Sequence, residues 1–250
     1  TGVQTCALPI SSGKNLPTVI LVHGGPTSRD YWGYRADVQL LASRGYAVLQ
    51  VNFRGSWGYG KNFTTAGFKQ WGKKMQDDIT DGATWLVDQG VADKDKIAIF
   101  GSSYGGYSAL AGVTFTPDVY ACGIAYVGPS NLFTLLNNLP SYWEPEKEML
   151  FEMIGHPVAD SVLLYNASPV FHTENIKVPL FIAQGGNDPR VRKEESEQMV
   201  DALRSRDQHV VYMLKENEGH GFKLEENRLE FYKAMMGFLA EQMPATSIKP

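Results

Sequence analysis

Three residues in this chain have the types and the order needed for acyl transfer: Ser103, Asp188 and His220. Ser103 lies in Gly101-Ser102-Ser103-Tyr104-Gly105-Gly106, a G-x-S-x-G spacing. The apolar run Ile97 to Phe100 precedes it and a small-residue apolar segment up to Val113 follows, so the motif sits at a strand-to-helix turn. A serine on so sharp a turn is strained, and its neighbours must be small. Gly101 and Gly105 supply that room. The same turn leaves the Tyr104 N–H pointing where an oxyanion would form. A glycine-rich turn with an idle serine is the competing reading, and the strand before and helix after it argue against that.

The other two residues fit complementary roles. His220 stands between Gly219 and Gly221, which let its loop reach towards a serine, and Asp188 lies in the loop Gly185-Gly186-Asn187-Asp188-Pro189-Arg190-Val191. A neutral histidine takes the serine proton and returns it to the leaving group, while an aspartate orients the ring and stabilises the imidazolium. His23-Gly24-Gly25-Pro26 closes another apolar run, and Gly25 N–H is expected as the second oxyanion donor. His23 itself reads as structural, because it ends a buried strand with no acid near it in sequence. His156, His172 and His209 lack comparable surroundings.

These residues need a frame. Six core strands are expected at 18–23, 46–52, 97–100, 121–127, 180–184 and 210–214, with helices between them. Met75, Ile79, Ala83 and Leu86 recur at helical spacing within a helix expected over 71–89. Met199, Val200 and Leu203 mark the inner face of another over 193–206. Leu229, Tyr232, Met236, Leu239 and Met243 do the same along the closing helix. Strands alternating with helices give an α/β fold with a doubly wound, mostly parallel sheet. Active sites in such sheets lie at the carboxyl ends of strands, where Gly25, Ser103, Asp188 and His220 all fall. The order Ser, Asp, His is that of α/β-hydrolases. The irregular stretch 128–167 carries Phe133 and Trp143 and is expected to form a lid, one pocket wall or a plain surface subdomain. No helix is expected to open directly from the glycine-aromatic loop 53–63. Arg54, within that loop, is expected in an ion pair, with the carboxylates of Asp77, Asp78 and Asp81 as candidate partners rather than as a metal site.

Composition bounds the function. With 250 residues and 43% hydrophobic content the chain can bury a large single core. A net charge of −4 gives no footprint for nucleic acid or a polybasic membrane contact. No apolar run reaches the ~18–20 residues of a membrane span. The two cysteines, Cys6 and Cys122, have no metal-type spacing, and no metal or cofactor is expected. Residues 1–10, TGVQTCALPI, resemble a translated sequencing adapter, so 1–13 is set aside, 14–243 is taken as the catalytic domain and 244–250 as a tail. The compartment cannot be read without the true start, and the cytoplasm is the default expectation.

Five motifs in order, HGGP, NFRGSWGYG, GSSYGG, GNDPRV and ENEGHGF, resemble the hydrolase domain of the prolyl oligopeptidase family of serine peptidases, over about 18–243. The resemblance implies peptidase activity on short peptides, with Ser103 as nucleophile, Asp188 as orienting acid and His220 as base. It implies that Arg190 binds a substrate backbone carbonyl; Phe133, Trp143 and their neighbours are pocket candidates from the sequence itself. HGGP resembles the acylaminoacyl-peptidase-like branch, in which backbone N–H groups hold the oxyanion. Family members usually carry a β-propeller ahead of this domain, so a truncated gene product is the expectation here. Residues 1–17 offer no room for the first strands of a hydrolase sheet. The strand at 46–52 is then expected as an exposed edge that favours self-association. A carboxylesterase with the same triad, or a catalytically silent fragment, are the alternatives.

Overall fold

The computed structural model describes residues 2–7 and 13–245. In chain order the elements are β1 (Gly2–Ala7), β2 (Leu16–Val22), α1 (Ala36–Ser43), β3 (Ala47–Asn52), α2 (Lys61–Thr65) and α3 (Lys74–Asp88). Next come β4 (Ala92–Ser102), α4 (Tyr104–Phe115), β5 (Cys122–Tyr126), α5 (Leu132–Asn137), a 3₁₀ turn (Ser141–Glu146), α6 (Lys147–Ile154) and α7 (Ser161–Asn166). A second 3₁₀ stretch (Pro169–Asn175), β6 (Leu180–Gly185), α8 (Lys193–Arg204), β7 (Val210–Lys215) and α9 (Glu225–Gln242) complete the described chain. The strands form one sheet in the order β1-β3-β2-β4-β5-β6-β7. β1 runs antiparallel to β3, and every other neighbour is parallel.

Period-two alternation assigns the strand side chains to two cores. Ile20, Val22, Ile97 and Ile99 face α3, α4 and α8, whereas Val19, Leu21, Ala98 and Phe100 face α1 and α9. Covered on both faces, the central strands are buried throughout, which explains their near-continuous apolar sequences. The expected inner faces of α3 and α8 are the buried ones. Cys122 is free and buried in β5, where desolvation pushes its thiol up to about 12. Arg54 pairs with Asp78 through Nη2 at 2.6 Å and Nε at 2.8 Å, and its backbone N–H donates to the same carboxylate.

The structure corrects several sequence expectations. β3 is not an exposed edge, because residues 2–7, set aside as adapter-like, pair with it from Gly2↔Asn52 to Ala7↔Val48. A strand therefore does fit ahead of β2, and the argument for self-association through that edge lapses. Pairing draws on backbone N–H and C=O groups, which almost any sequence supplies. In α9 the buried stripe is Phe231, Met235, Phe238 and Leu239, while Leu229 is 52% exposed. Two apolar stripes overlap on that helix, and the one with the bulkier rings faces the sheet. β2 ends at Val22, so His23 opens the following loop rather than closing the strand. The short helix α2 does open at the end of the glycine-aromatic loop, directly after Gly60.

Candidate active site

The chain runs from β2 out to β3 and then back across to β4, so the strand order reverses around β2. Crevices open at the carboxyl ends of strands at such a reversal. The loop His23-Gly24-Gly25 leaves β2 there, and Ser103 follows β4 directly beside it.

Ser103 has φ +60° and ψ −119°, the strained conformation of a nucleophile elbow. Two backbone bonds hold it: its N–H donates to Tyr126 O at 2.9 Å, and its carbonyl accepts from Tyr107 N–H at 3.0 Å. A Cβ on Gly101 would lie 2.5 Å from Gly105, so the two glycines are the points where strand and helix touch. Tyr104, the next residue, is fully buried, edge-on to Trp71 at 4.7 Å and tilted against Phe53 at 5.1 Å. That packing fixes the first turn of α4 and with it the Tyr104 N–H.

Asp188 and His220 meet. Asp188 Oδ2 accepts from His220 Nδ1 at 2.7 Å. Asp188 Oδ1 accepts from the N–H groups of Arg190 at 2.9 Å and Val191 at 3.0 Å, and the side chain is wholly inaccessible to solvent. With one oxygen committed to two backbone donors, the other is fixed in place for the imidazole. No hydrogen bond joins Ser103 Oγ to His220 in this structure; such contacts are often long without substrate and tighten when it binds.

His23 is held on both ring nitrogens. Its Nδ1 donates to Gly24 O at 2.8 Å, its Nε2 lies 2.9 Å from Ser56 Oγ, and its ring stacks on Phe53 at 4.4 Å. Ser56 Oγ also donates to Phe53 O at 2.7 Å, and burial lowers the pKa of the His23 ring. The ring thereby tethers the loop that carries Gly25.

Gly25, Ser103 and Tyr104 line one cavity of about 480 Å³ whose walls are mostly apolar. Arg190 and Trp143 line it too, with the guanidinium carbon 5.8 Å from the indole centroid. The stretch 128–167 supplies a wall of this cavity through Leu135, Leu139, Trp143 and Met153. Phe133 does not reach it. Two residues before Leu135 on α5, it points the other way and packs against Phe171 at 6.2 Å.

Most of the supporting residues lie outside the motifs. Gln184 Nε2 donates to Val191 O at 2.9 Å and approaches Asp188 Oδ2 at 3.4 Å, while its Oε1 accepts from Ser196. Glu218 accepts from the N–H groups of Lys223 and Leu224 and from Asn227, closing the histidine loop. Tyr126 hydroxyl accepts from Phe222 N–H. Only Glu218 left a sequence signal, as an acidic residue inside the tight loop ahead of His220.

Glu195 on α8 anchors the start of the cavity wall. Its Oε2 accepts from Ser130 N–H at 3.0 Å and Asn131 N–H at 2.9 Å, and Thr134 hydroxyl meets its Oε1. Burial raises its pKa against the pull of these donors. The folded protein therefore keeps this proton to higher pH than the unfolded chain. The stability contribution falls as pH rises from the unfolded value of about 4.3 through the raised folded one. Glu195→Gln removes that titration, so its urea midpoint should gain on the wild type between pH 4 and 7. A constant difference across that range would refute the assignment.

A model of the prolyl oligopeptidase family matches residues 32–246. The chain belongs to this family. It is 51% identical to dipeptidyl aminopeptidase BIII of Pseudoxanthomonas mexicana, over 96% of this chain and 36% of that protein. It is 43% identical to dipeptidyl peptidase family member 6 of Caenorhabditis elegans, over 89% of this chain and 30% of that protein. Among solved structures, a Mycobacterium tuberculosis puromycin-hydrolyzing peptidase superposes with a TM-score of 0.90 at 31% identity, over 99% of this chain and 37% of the other. This prolyl oligopeptidase-family chain thus spans about a third of the length of the curated relatives it matches. Its α/β-hydrolase fold is the one those peptidases share.

Proposed function

We propose that this domain hydrolyses peptide bonds of short peptides through an acyl-enzyme. Ser103 Oγ attacks the carbonyl carbon, and His220 Nε2 takes the serine proton. His220 then passes that proton to the departing amine as the C–N bond breaks. Water, deprotonated by the same ring, releases the acyl group and restores Ser103. Gly25 and Tyr104 N–H groups face the carbonyl oxygen as it gains charge; losing one such donor costs about 10²–10³ in rate. Arg190, stacked beside Trp143, holds a substrate carbonyl on the acyl side.

The observation that carries this reading is the Asp188–His220 bond at 2.7 Å, with the second Asp188 oxygen committed to two backbone donors. An ion pair without catalytic duty would not need so fixed a carboxylate at the carboxyl edge of the sheet. The names of the relatives, a dipeptidyl aminopeptidase and a dipeptidyl peptidase family member, support the peptidase reading over an esterase.

Labelling with a fluorophosphonate probe tests the nucleophile. The adduct is expected on the Ser103 peptide and absent from Ser103→Ala. Folded wild-type protein that takes no label would refute the reading. Matched ester and amide substrates would then separate a peptidase from an esterase, since a peptidase must turn over both.

A further inference from the structure

We propose that Arg29, on the loops that continue into the cavity wall, forms a carboxylate-binding site, and that its ligand is the C-terminal carboxylate of a short peptide. The proposal rests on the peptidase reading for the identity of the ligand, but its geometry is independent of the triad.

Among the described residues, Arg29 is held as a cation without an anion. Its guanidinium carbon lies 4.3 Å from the ring centroid of Tyr31 and 5.1 Å from that of Tyr59. Its Nη1 rests over Gly58, where an added Cβ would stand 2.1 Å from it, and Gly58 itself has φ +87°, a conformation that favours glycine. Its Nε is buried and meets no acceptor among the described residues. The two nearby arginines differ: Arg35 pairs with Asp30 and Asp37, and Arg54 with Asp78. Tyrosine faces attract a guanidinium but leave its in-plane N–H groups unused. A planar fork of donors with its orientation already set matches a carboxylate in two-point contact.

Position supplies the ligand. Arg29 follows the oxyanion loop by a few residues, and Thr27 of that loop lines the cavity with Ser103. Trp57, next to Gly58, lines it as well and donates its N–H to Thr27 O at 3.2 Å. The two loops that clamp Arg29 are therefore the two that continue into the cavity wall. Arg190 and Trp143 come from other loops. A peptide whose acyl part lies against those residues can send its other end towards Arg29. The anion every unblocked peptide brings there is its terminal carboxylate.

The test measures binding without turnover. Ser103→Ala protein is titrated calorimetrically with tri-alanine and with tri-alanine amide. The acid should bind about tenfold more tightly than the amide, the discrimination expected of one charge-assisted two-point contact. Adding Arg29→Gln should bring the two affinities to within about twofold of each other, while Arg29→Lys should retain part of the preference. Equal affinities in the Ser103→Ala protein, no detectable binding of either peptide, or a preference that survives Arg29→Gln would each overturn the site. Because the comparison is between two ligands on one protein, a general weakening in the variant cancels. Fluorophosphonate labelling reports separately on the nucleophile, so either proposal can fail while the other stands.

Discussion

Asp188→Asn should lower kcat on a peptide arylamide by about 10⁴ and leave the fold intact. The argument follows from how the two carboxylate oxygens are used. One accepts from Arg190 and Val191 N–H, and the other accepts from His220 Nδ1. An asparagine has one acceptor oxygen. The two backbone donors are fixed, so that oxygen stays with them, and the amide nitrogen turns to His220. Two N–H donors cannot face each other, so His220 Nδ1 must become the acceptor. The ring proton then moves to Nε2, the atom that should take the serine proton, and the base is blocked. Size and packing barely change, so the unfolding free energy should stay within about 1 kcal/mol of wild type. The check is kcat/KM together with a urea melt. Activity within tenfold of wild type would show that Asp188 does not set the tautomer, and the proposed triad would fail with it.

Much of this site was legible from residue types alone. The elbow declared itself because only glycine suits Gly101 and Gly105, and the strand runs did because buried parallel strands must be apolar on both faces. The amphipathic pattern of α3 fixed its inner face through Met75, Ile79, Ala83 and Leu86. What stayed hidden depended on partners distant in sequence. β1 has no signal of its own, since its pairing with β3 is made by backbone groups. Phe133 and Leu135 are both apolar neighbours on α5, and only the helix's rotation against the core decides which one meets the cavity. Gln184 and Glu195 are ordinary polar residues until the fold brings Asp188, Val191 and Ser130 to them. The Arg190–Trp143 contact joins a loop after β6 to a turn before α6, and nothing local announces it.

The same chemical change at two glycines should give opposite results. A Cβ on Gly105 would stand 2.1 Å from Val22 O, and Val22 is paired with Gly101 in the parallel register of β2 and β4. Neither side can give way: the obstacle is backbone at the end of a buried central strand. Gly105→Ala must therefore push α4 off the sheet or bend the end of β2, and overpacking of this kind costs about 3 kcal/mol or more. Bending β2 also moves His23, Gly24 and Gly25 relative to Ser103, so activity should fall even in the fraction that remains folded. Gly237 lies on the exposed face of α9, with a helical φ and nothing within 4 Å of an added Cβ. Gly237→Ala restricts the unfolded chain and favours the helix, so it should stabilise by about 0.5–1 kcal/mol. Urea unfolding of both variants beside wild type tests the pair. If Gly105→Ala is tolerated with full activity, the contact between α4 and β2 is not tight, and the rigid placement of Ser103 beside the Gly25 loop is lost with it.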